Sequence, residues 1–278
     1  MKKFLLWFLA FLITISAAVY QRMTGPTYPK RINISVNKGV QQLHLVRSLS
    51  LNEKPEVKID LADPNIKAKL FFKRYKTEGD YQVADFSFRA DPKHPGFFAD
   101  VPRQPAAGKI QYYIEITDSD GTQTYLKESP VVIRFKGDVP ASVLVPHILL
   151  MFLAMLFSTL AGLMAAIKYP LYKKYAIWTL ILFIAGGMVL GPIVQYDAFG
   201  DFWTGIPFGW DLTDNKTLIA LLFWILAVVM NRKKERPVYT VLAAIVLLLV
   251  FSIPHSLFGS ELNYSGGQVT QGIILNIF

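Results

Sequence analysis

The stretch Tyr-Asp-Ala-Phe-Gly-Asp-Phe-Trp-Thr-Gly-Ile-Pro-Phe-Gly-Trp-Asp-Leu-Thr-Asp-Asn-Lys, residues 196–216, decides how the chain is read. Apolar runs flank it, Tyr175–Gln195 before and Thr217–Met230 after. It holds Asp197, Asp201, Asp211 and Asp214, with Trp203 and Trp210 among them. Carboxylates are costly inside hydrocarbon, so this loop belongs at a membrane interface or above it. Its glycines and Pro207 stop one helix from running through. The flanking runs therefore read as two membrane spans joined by a folded, aromatic, carboxylate-rich loop.

Working outward, Val143–Ile167 and Val238–Ile253 complete a membrane α-helical bundle of four spans over residues 143–278. The last two spans are short for ~30 Å of hydrocarbon. Basic residues fix an orientation. Lys2 and Lys3, then Lys168, Lys173 and Lys174, then Arg232, Lys233, Lys234 and Arg236 all fall on one side, the cytoplasmic side by the positive-inside rule. Lys216 is the one basic residue flanking the bundle spans on the other side, which carries Asp197, Asp201, Asp211, Asp214 and Glu261. That outer side, periplasmic or extracellular, also receives the C-terminus. The chain is thus expected in the cytoplasmic (inner) membrane.

Residues 1–20 carry Lys2 and Lys3, an apolar run Phe4–Ile15 and the small residues Ser16-Ala17-Ala18. Two readings stay open, a cleaved signal peptide and an uncleaved signal anchor; both put residue 21 outside the cytoplasm. The hydrophobic content of 53% is concentrated here and after Val143. The intervening region, 21–142, is polar and alternates. Strands are expected at Arg31–Val36, Gln42–Leu49, Glu56–Leu61, Ala68–Tyr75, Tyr81–Arg89, Lys109–Thr117, Thr122–Leu126 and Val131–Phe135. Tyr81–Arg89 needs a bulge near Asp85 to keep Val83, Phe86 and Phe88 on one face. Asp118-Ser119-Asp120-Gly121 is a hairpin turn. These runs predict an exported, all-β antiparallel sandwich. The segment Gly108–Leu126, with Lys-Ile-Gln-Tyr-Tyr-Ile-Glu-Ile-Thr before that turn, resembles the late hairpin of fibronectin-III/Ig-like envelope modules. The resemblance implies a module that holds or recognises a partner; a spacer domain fits the same residues.

Cys is absent, which excludes disulfides, thiolate metal sites and thiol catalysis. Of the net charge of +9, about five come from the β region and the rest flank the spans, so nucleic acid is not the expected partner. Lys73-Arg74-Tyr75-Lys76 and Lys93-His94 read as solvated basic clusters, and His44 as a strand residue. No phosphate loop, zincin motif or Gly-x-Ser-x-Gly elbow occurs, so no enzyme class is predicted.

His147 follows Pro146 at the start of the first bundle span, and His255 follows Pro254 at the end of the last. The topology puts both at the level of the 196–216 loop. Two histidines can ligate haem iron, and His with carboxylate suits a divalent metal. His147, Met151, Met155, Ser158 and Gly162 recur at spacings of four and three, marking one helix face. Gly187 and Gly191 have the spacing of a close helix contact. Phe199-Gly200-Asp201-Phe202-Trp203 and Trp210-Asp211-Leu212-Thr213-Asp214-Asn215-Lys216, followed by a span with Trp224, resemble the Trp-rich loop of haem-handling membrane proteins of cytochrome c assembly. The resemblance, over residues 199–224, implies haem held by His147 and His255 with Trp203, Trp210 and Asp211 beside it. The chain departs from that family in the spacing of the two Trp, in its number of spans and in its β region. A divalent-metal site would draw on His147, His255, Asp197, Asp201 and Asp214. The alternative function is a non-catalytic structural or assembly protein of an envelope complex, its sandwich and bundle binding membrane or envelope proteins. On that reading Asp211 and Asp214 serve the N-terminus of the following helix, with Thr213 as its cap, and Trp203 and Trp210 are interfacial aromatics.

Overall fold

Residues 2–90, 95–254, 261–264, 266 and 269–270 are described by the computed structural model. They fall into two units, one drawn from 1–26 and 139–260, the other from 27–138 and 261–270.

In the β unit, alternation does what it predicts. β1 (Lys30–Val36) and β2 (Gly39–Leu45) form a hairpin that buries Ile34, Val36, Leu43 and Leu45 on one face. β3 (Ser48–Ser50), β5 (Lys67–Arg74), β6 (Gln82–Asp85), β9 (Lys109–Asp118), β10 (Gly121–Tyr125) and β11 (Val131–Lys136) make a six-stranded sheet. β4 (Glu56–Ile59), β7 (Ser87–Arg89) and β8 (Gly96–Asp100) make a three-stranded one. Leu43, Val57, Ile59, Leu70, Ile114 and Ile133 belong to one apolar core that all these sheets share. The hairpin at Asp118–Gly121 forms, with Gly121 at φ +125° and Asp118 accepting from the Asp120 N–H.

Three features differ from the expected antiparallel set. Gln42–Leu49 is not one strand: β2 ends at Leu45, and β3 pairs with β11 in parallel. The break is held by the buried Tyr112 hydroxyl, which donates to the Val46 carbonyl at 3.0 Å. Tyr81–Arg89 is not one bulged strand either. Its first half, β6, pairs with β5, and its second half, β7, pairs with β8 in the other sheet. Phe86 at the crossing is buried, whereas Val83 is 52% exposed, so the two do not share a face. Third, β8 lies outside the expected strands.

Residues 261–270 cluster with the β unit. Glu261 pairs with Lys109 at 2.9 Å and Lys76 at 2.7 Å. Tyr264 donates to the Lys109 carbonyl at 2.8 Å, and the Arg74 guanidinium lies 4.9 Å from its ring. Lys73 donates to the Gly79 carbonyl. Arg74 and Lys76 of that basic cluster thus hold specific partners, while Lys93 and His94 lie outside the described residues. Burial pushes the Lys109 amine down to about 8 against the ion pair. At Glu261, burial works to raise the carboxyl, but hydrogen bonds from Lys76 and Lys109 outweigh it and hold it below its ordinary value. Glu261–Leu262 pairs with Val269–Thr270 as a short strand pair; residues 271–278 of the apolar tail lie outside the described set.

In the helical unit, α1 (Lys2–Thr24), α2 (Ala141–Ala166) and α5 (Leu212–Met230) are long and apolar enough to cross a membrane. So is the continuous stretch Tyr172–Phe199, made of α3 (Tyr172–Phe183), a π-helical segment (Ile184–Leu190) and α4 (Gly191–Phe199). The apolar α6 (Pro237–Ser252) has 16 residues, which is about 24 Å of helix. Small residues let these helices close up: Ala154, Ala161, Ala176, Ala220 and Ala243 share one buried core with the fully buried Trp224. A Cβ on Gly162 would stand 2.5 Å from that of Ala244. The α5–α6 turn is fixed by Asn231, which accepts from the Tyr172 hydroxyl and the Arg236 N–H, both at 2.8 Å.

Candidate functional site

A cavity of about 520 Å³ opens at the ends of the helices where α1 and α4 finish and α2 and α5 begin. His147, Trp203, Asp211 and Asp214 all line it, with Met151 and Met155 on the α2 face marked by the spacing of four. Asp197, half-buried in the last turn of α4, and the exposed Asp201 and Trp210 are not in its lining. His255 lies outside the described residues. Among the described residues no group of three or more His, Asp or Glu could hold a metal ion.

The π-helical segment positions His147. Its wider turns let the Gly191 N–H donate to the Gly186 carbonyl, five residues back. The same carbonyl lies 2.9 Å from His147 Nδ1. A carbonyl only accepts, so Nδ1 carries the proton and Nε2 is left with its lone pair when the ring is neutral. Gly186 must be a glycine: a Cβ there would stand 2.9 Å from Leu150 Cβ and 3.0 Å from Met151 Sδ.

The loop is short and tied down. Gly200, at φ +92°, ends α4 with its N–H on the Tyr196 carbonyl. α5 begins at Leu212, earlier than Thr217, and its cap is Asp211, not Thr213. The Asp211 carboxylate accepts from the Thr213 N–H at 2.7 Å and the Asp214 N–H at 3.3 Å. Asp214, only 5% exposed, turns back into the loop. Its Oδ2 accepts from the Thr204 N–H at 2.6 Å, the Gln195 side chain at 3.1 Å and the Thr204 hydroxyl at 3.2 Å. Gly205 packs against it so closely that a Cβ would sit 2.6 Å from Asp214 Cβ. Trp203 donates to the Ile206 carbonyl at 3.1 Å. Beyond these ties, Phe208 and Trp210 are 81% and 72% exposed, and the rings of Tyr196 and Phe202 stack on each other.

Sequence reasoning missed several participants. Lys216, read as an interfacial charge, is buried, and its amine donates to the Ile253 carbonyl at 2.8 Å. Gln195, which by sequence only ends a span, donates to Asp214. The carbonyl of Gly186 has no sequence signature beyond the Gly pair. The Asp211-x-x-Asp214 spacing before an apolar run was the available sign of the cap. The sequence of α1 carries export signals alone, yet Ala17, Ala18, Gln21 and Arg22 line the cavity.

Fold and site together define a class: a chain with helices able to cross a membrane, a β-sheet unit, and a histidine-bearing cavity lined in part by a hydrogen-bonded loop. No protein-family model matches the chain, and no curated protein matches it.

Proposed function

We propose that the chain is an integral protein of the cytoplasmic membrane whose cavity holds haem on the outer side, with His147 Nε2 as an iron ligand. The β unit, read as a mainly antiparallel sandwich, shares that outer side by the Lys/Arg distribution. The observation that carries the reading is the fixed imidazole. A histidine whose Nδ1–H is spent on a backbone carbonyl, with its other nitrogen free beside a cavity, is oriented as metal-ligating histidines are. A volume of about 520 Å³ is in the range of cofactor pockets, and the Trp203 ring and the Met151 and Met155 thioethers supply polarisable walls. A lone divalent ion has less support, because Asp211 and Asp214 spend their carboxylates on backbone N–H groups.

The test is an absorption titration of the purified, detergent-solubilised full chain with haemin, alongside metal analysis. A Soret shift is expected for the natural chain and its loss for His147→Ala. A natural chain with no Soret change sinks the haem reading. The exposed loop aromatics Phe208 and Trp210 favour a second function, an assembly protein of an envelope complex that docks a membrane partner there. Partner capture by the natural chain, lost in Phe208→Ser/Trp210→Ser while haem binding is absent throughout, would support it.

A further inference from the structure

The cavity has a polar end and an apolar end. Gln21, Arg22, His147, Gln195 and Asp214 line it near the ends of their helices, while Met151, Phe152 and Met155 lie one to two turns deeper along α2. From His147 to Met155 the helix rises about 12 Å. The two carboxylates at the polar end are engaged by backbone N–H groups. Arg22 is exposed, and no ion pair reaches it among the described residues.

The wall that carries Arg22 is α1, and α1 is packed as a member of the helical unit. Leu6, Ala10 and Thr14, at spacings of four, are its buried face. Trp7 meets Phe157 and Tyr175 edge-on, with centroids 5.9 and 5.6 Å apart. The Gln21 amide donates to the Phe251 carbonyl at the end of α6, at 2.7 Å. Ala17 and Ala18, the residues that also resemble a signal-peptidase site, are part of the cavity surface. Removing the helix would strip one side of the cavity and leave the Phe251 carbonyl without this donor.

From this we infer that α1 is retained as a wall of the cavity, and that the cavity takes an anionic amphiphile whose acidic group meets Arg22 while its apolar body lies against Met151, Phe152 and Met155. The inference rests on reading the cavity as a ligand site. It is independent of iron: a carboxylate-bearing tetrapyrrole and a long-chain fatty acid share this chemistry.

The full chain, in phosphatidylcholine nanodiscs, is photolabelled with a diazirine-bearing long-chain fatty acid and, separately, with the matching fatty alcohol. Labelled peptides are mapped by mass spectrometry. The acid should label the Met151–Met155 segment. Arg22→Gln should cut that labelling roughly tenfold, as loss of a charge-assisted contact does, and leave labelling by the alcohol unchanged. Ala18→Phe, or Ala18→Leu if the larger ring prevents folding, should displace both probes. Val19→Phe, on the half-exposed side of α1, should displace neither. Peptides spanning Leu6–Arg22 should be present in the membrane-inserted protein. Their absence, indifference of labelling to Ala18→Phe and Ala18→Leu, or equal effects of Arg22→Gln on acid and alcohol would overturn the inference. Haemin titration of the same variants separates the two readings. Fatty-acid labelling at the site without a Soret shift removes haem alone; haem binding that ignores Arg22 and Ala18 removes the amphiphile inference alone.

Discussion

Replacing Asp214 by alanine should release the loop while leaving α5 in place. Oδ2 of Asp214 accepts three hydrogen bonds, from Thr204 N, Thr204 Oγ1 and Gln195 Nε2. The shortest, at 2.6 Å, comes from a backbone N–H that loses this acceptor when the carboxylate goes. Hydrogen bonds to a charged acceptor are worth about 1.5–3 kcal/mol each, and shared acceptors are not additive, so about 3–4 kcal/mol is a fair sum for the three. At about 1.4 kcal/mol per tenfold, that raises the equilibrium for local loop opening by more than a hundredfold. Amide hydrogen exchange of the 200–210 segment in detergent reads it directly, because exchange through local opening follows that equilibrium. Asp214→Asn is the informative partner. An amide oxygen in the place of Oδ2 keeps the acceptor and gives up only the charge, so about 1 kcal/mol, or several-fold, is expected. Unchanged Thr204 exchange in Asp214→Ala would refute the tether. Equal effects of Asn and Ala would show that charge, not acceptor geometry, holds the loop.

The remaining expectations are simpler. Gly186→Ala should lower thermal stability by about 1–3 kcal/mol, since its Cβ collides with Leu150; Gly191→Ala, whose nearest contact would be an ordinary 3.7 Å, should not. Glu261→Gln leaves the nearly buried Lys109 without its carboxylate and should cost the β unit roughly 3 kcal/mol near neutral pH. The pH profile has two arms with fixed signs. Glu261 has a depressed folded pKa, so its contribution is present above the ordinary carboxyl value and is lost as pH falls through the lower folded value. Lys109 titrates at about 8 when folded and 10.5 ordinarily, so the unfolded chain binds more protons in that window and this group favours folding increasingly as pH rises through it. Chemical unfolding of the β unit followed from pH 3 to 10 checks both arms, and Glu261→Gln should flatten the acid one. A reporter inserted within Arg232–Arg236 should behave as cytoplasmic and one after Phe278 as exported; the reverse would invert the orientation and take the loop off the outer side.

Much of the architecture was legible because side-chain polarity carries it. Alternation at Ile32, Ile34 and Val36, and at Val57, Ile59 and Leu61, marks buried strand faces, and the Asp120-Gly121 turn is a local backbone demand. Partner choice was not legible. Nothing in Tyr81–Arg89 says that its halves pair in different sheets, since that is settled by where β5 and β8 lie. β8 escaped because Gly96, Phe97 and Ala99 are all buried, which removes the alternation. In the site, polarity misled. Asp211–Lys216 was counted as loop because hydropathy registers what buried charges cost and not the N–H, carbonyl and amide groups that satisfy them. His147 could be found from its place after Pro146. That its ring is steered by Gly186 depends on a helix geometry that no residue pattern announces, and whether His255 reaches the same cavity lies outside the described residues.

The π-helical segment also sets the phase of everything after it. An α-helix advances 100° per residue, and a wider turn absorbs an extra residue without lengthening the rod by a full step. Gln195, Ala198 and Phe199 therefore face the cavity on a bearing that regular winding from Tyr172 would not give them. Regular winding of the same residues from Ile184 to Leu190 would swing that face round by about 100°, whereas deleting the one absorbed residue would keep its bearing. The helix would survive such rewinding; the alignment of Gln195 with Asp214 and of Gly186 with His147 would not. The irregular turn works as a dial, and the site exists at one of its settings.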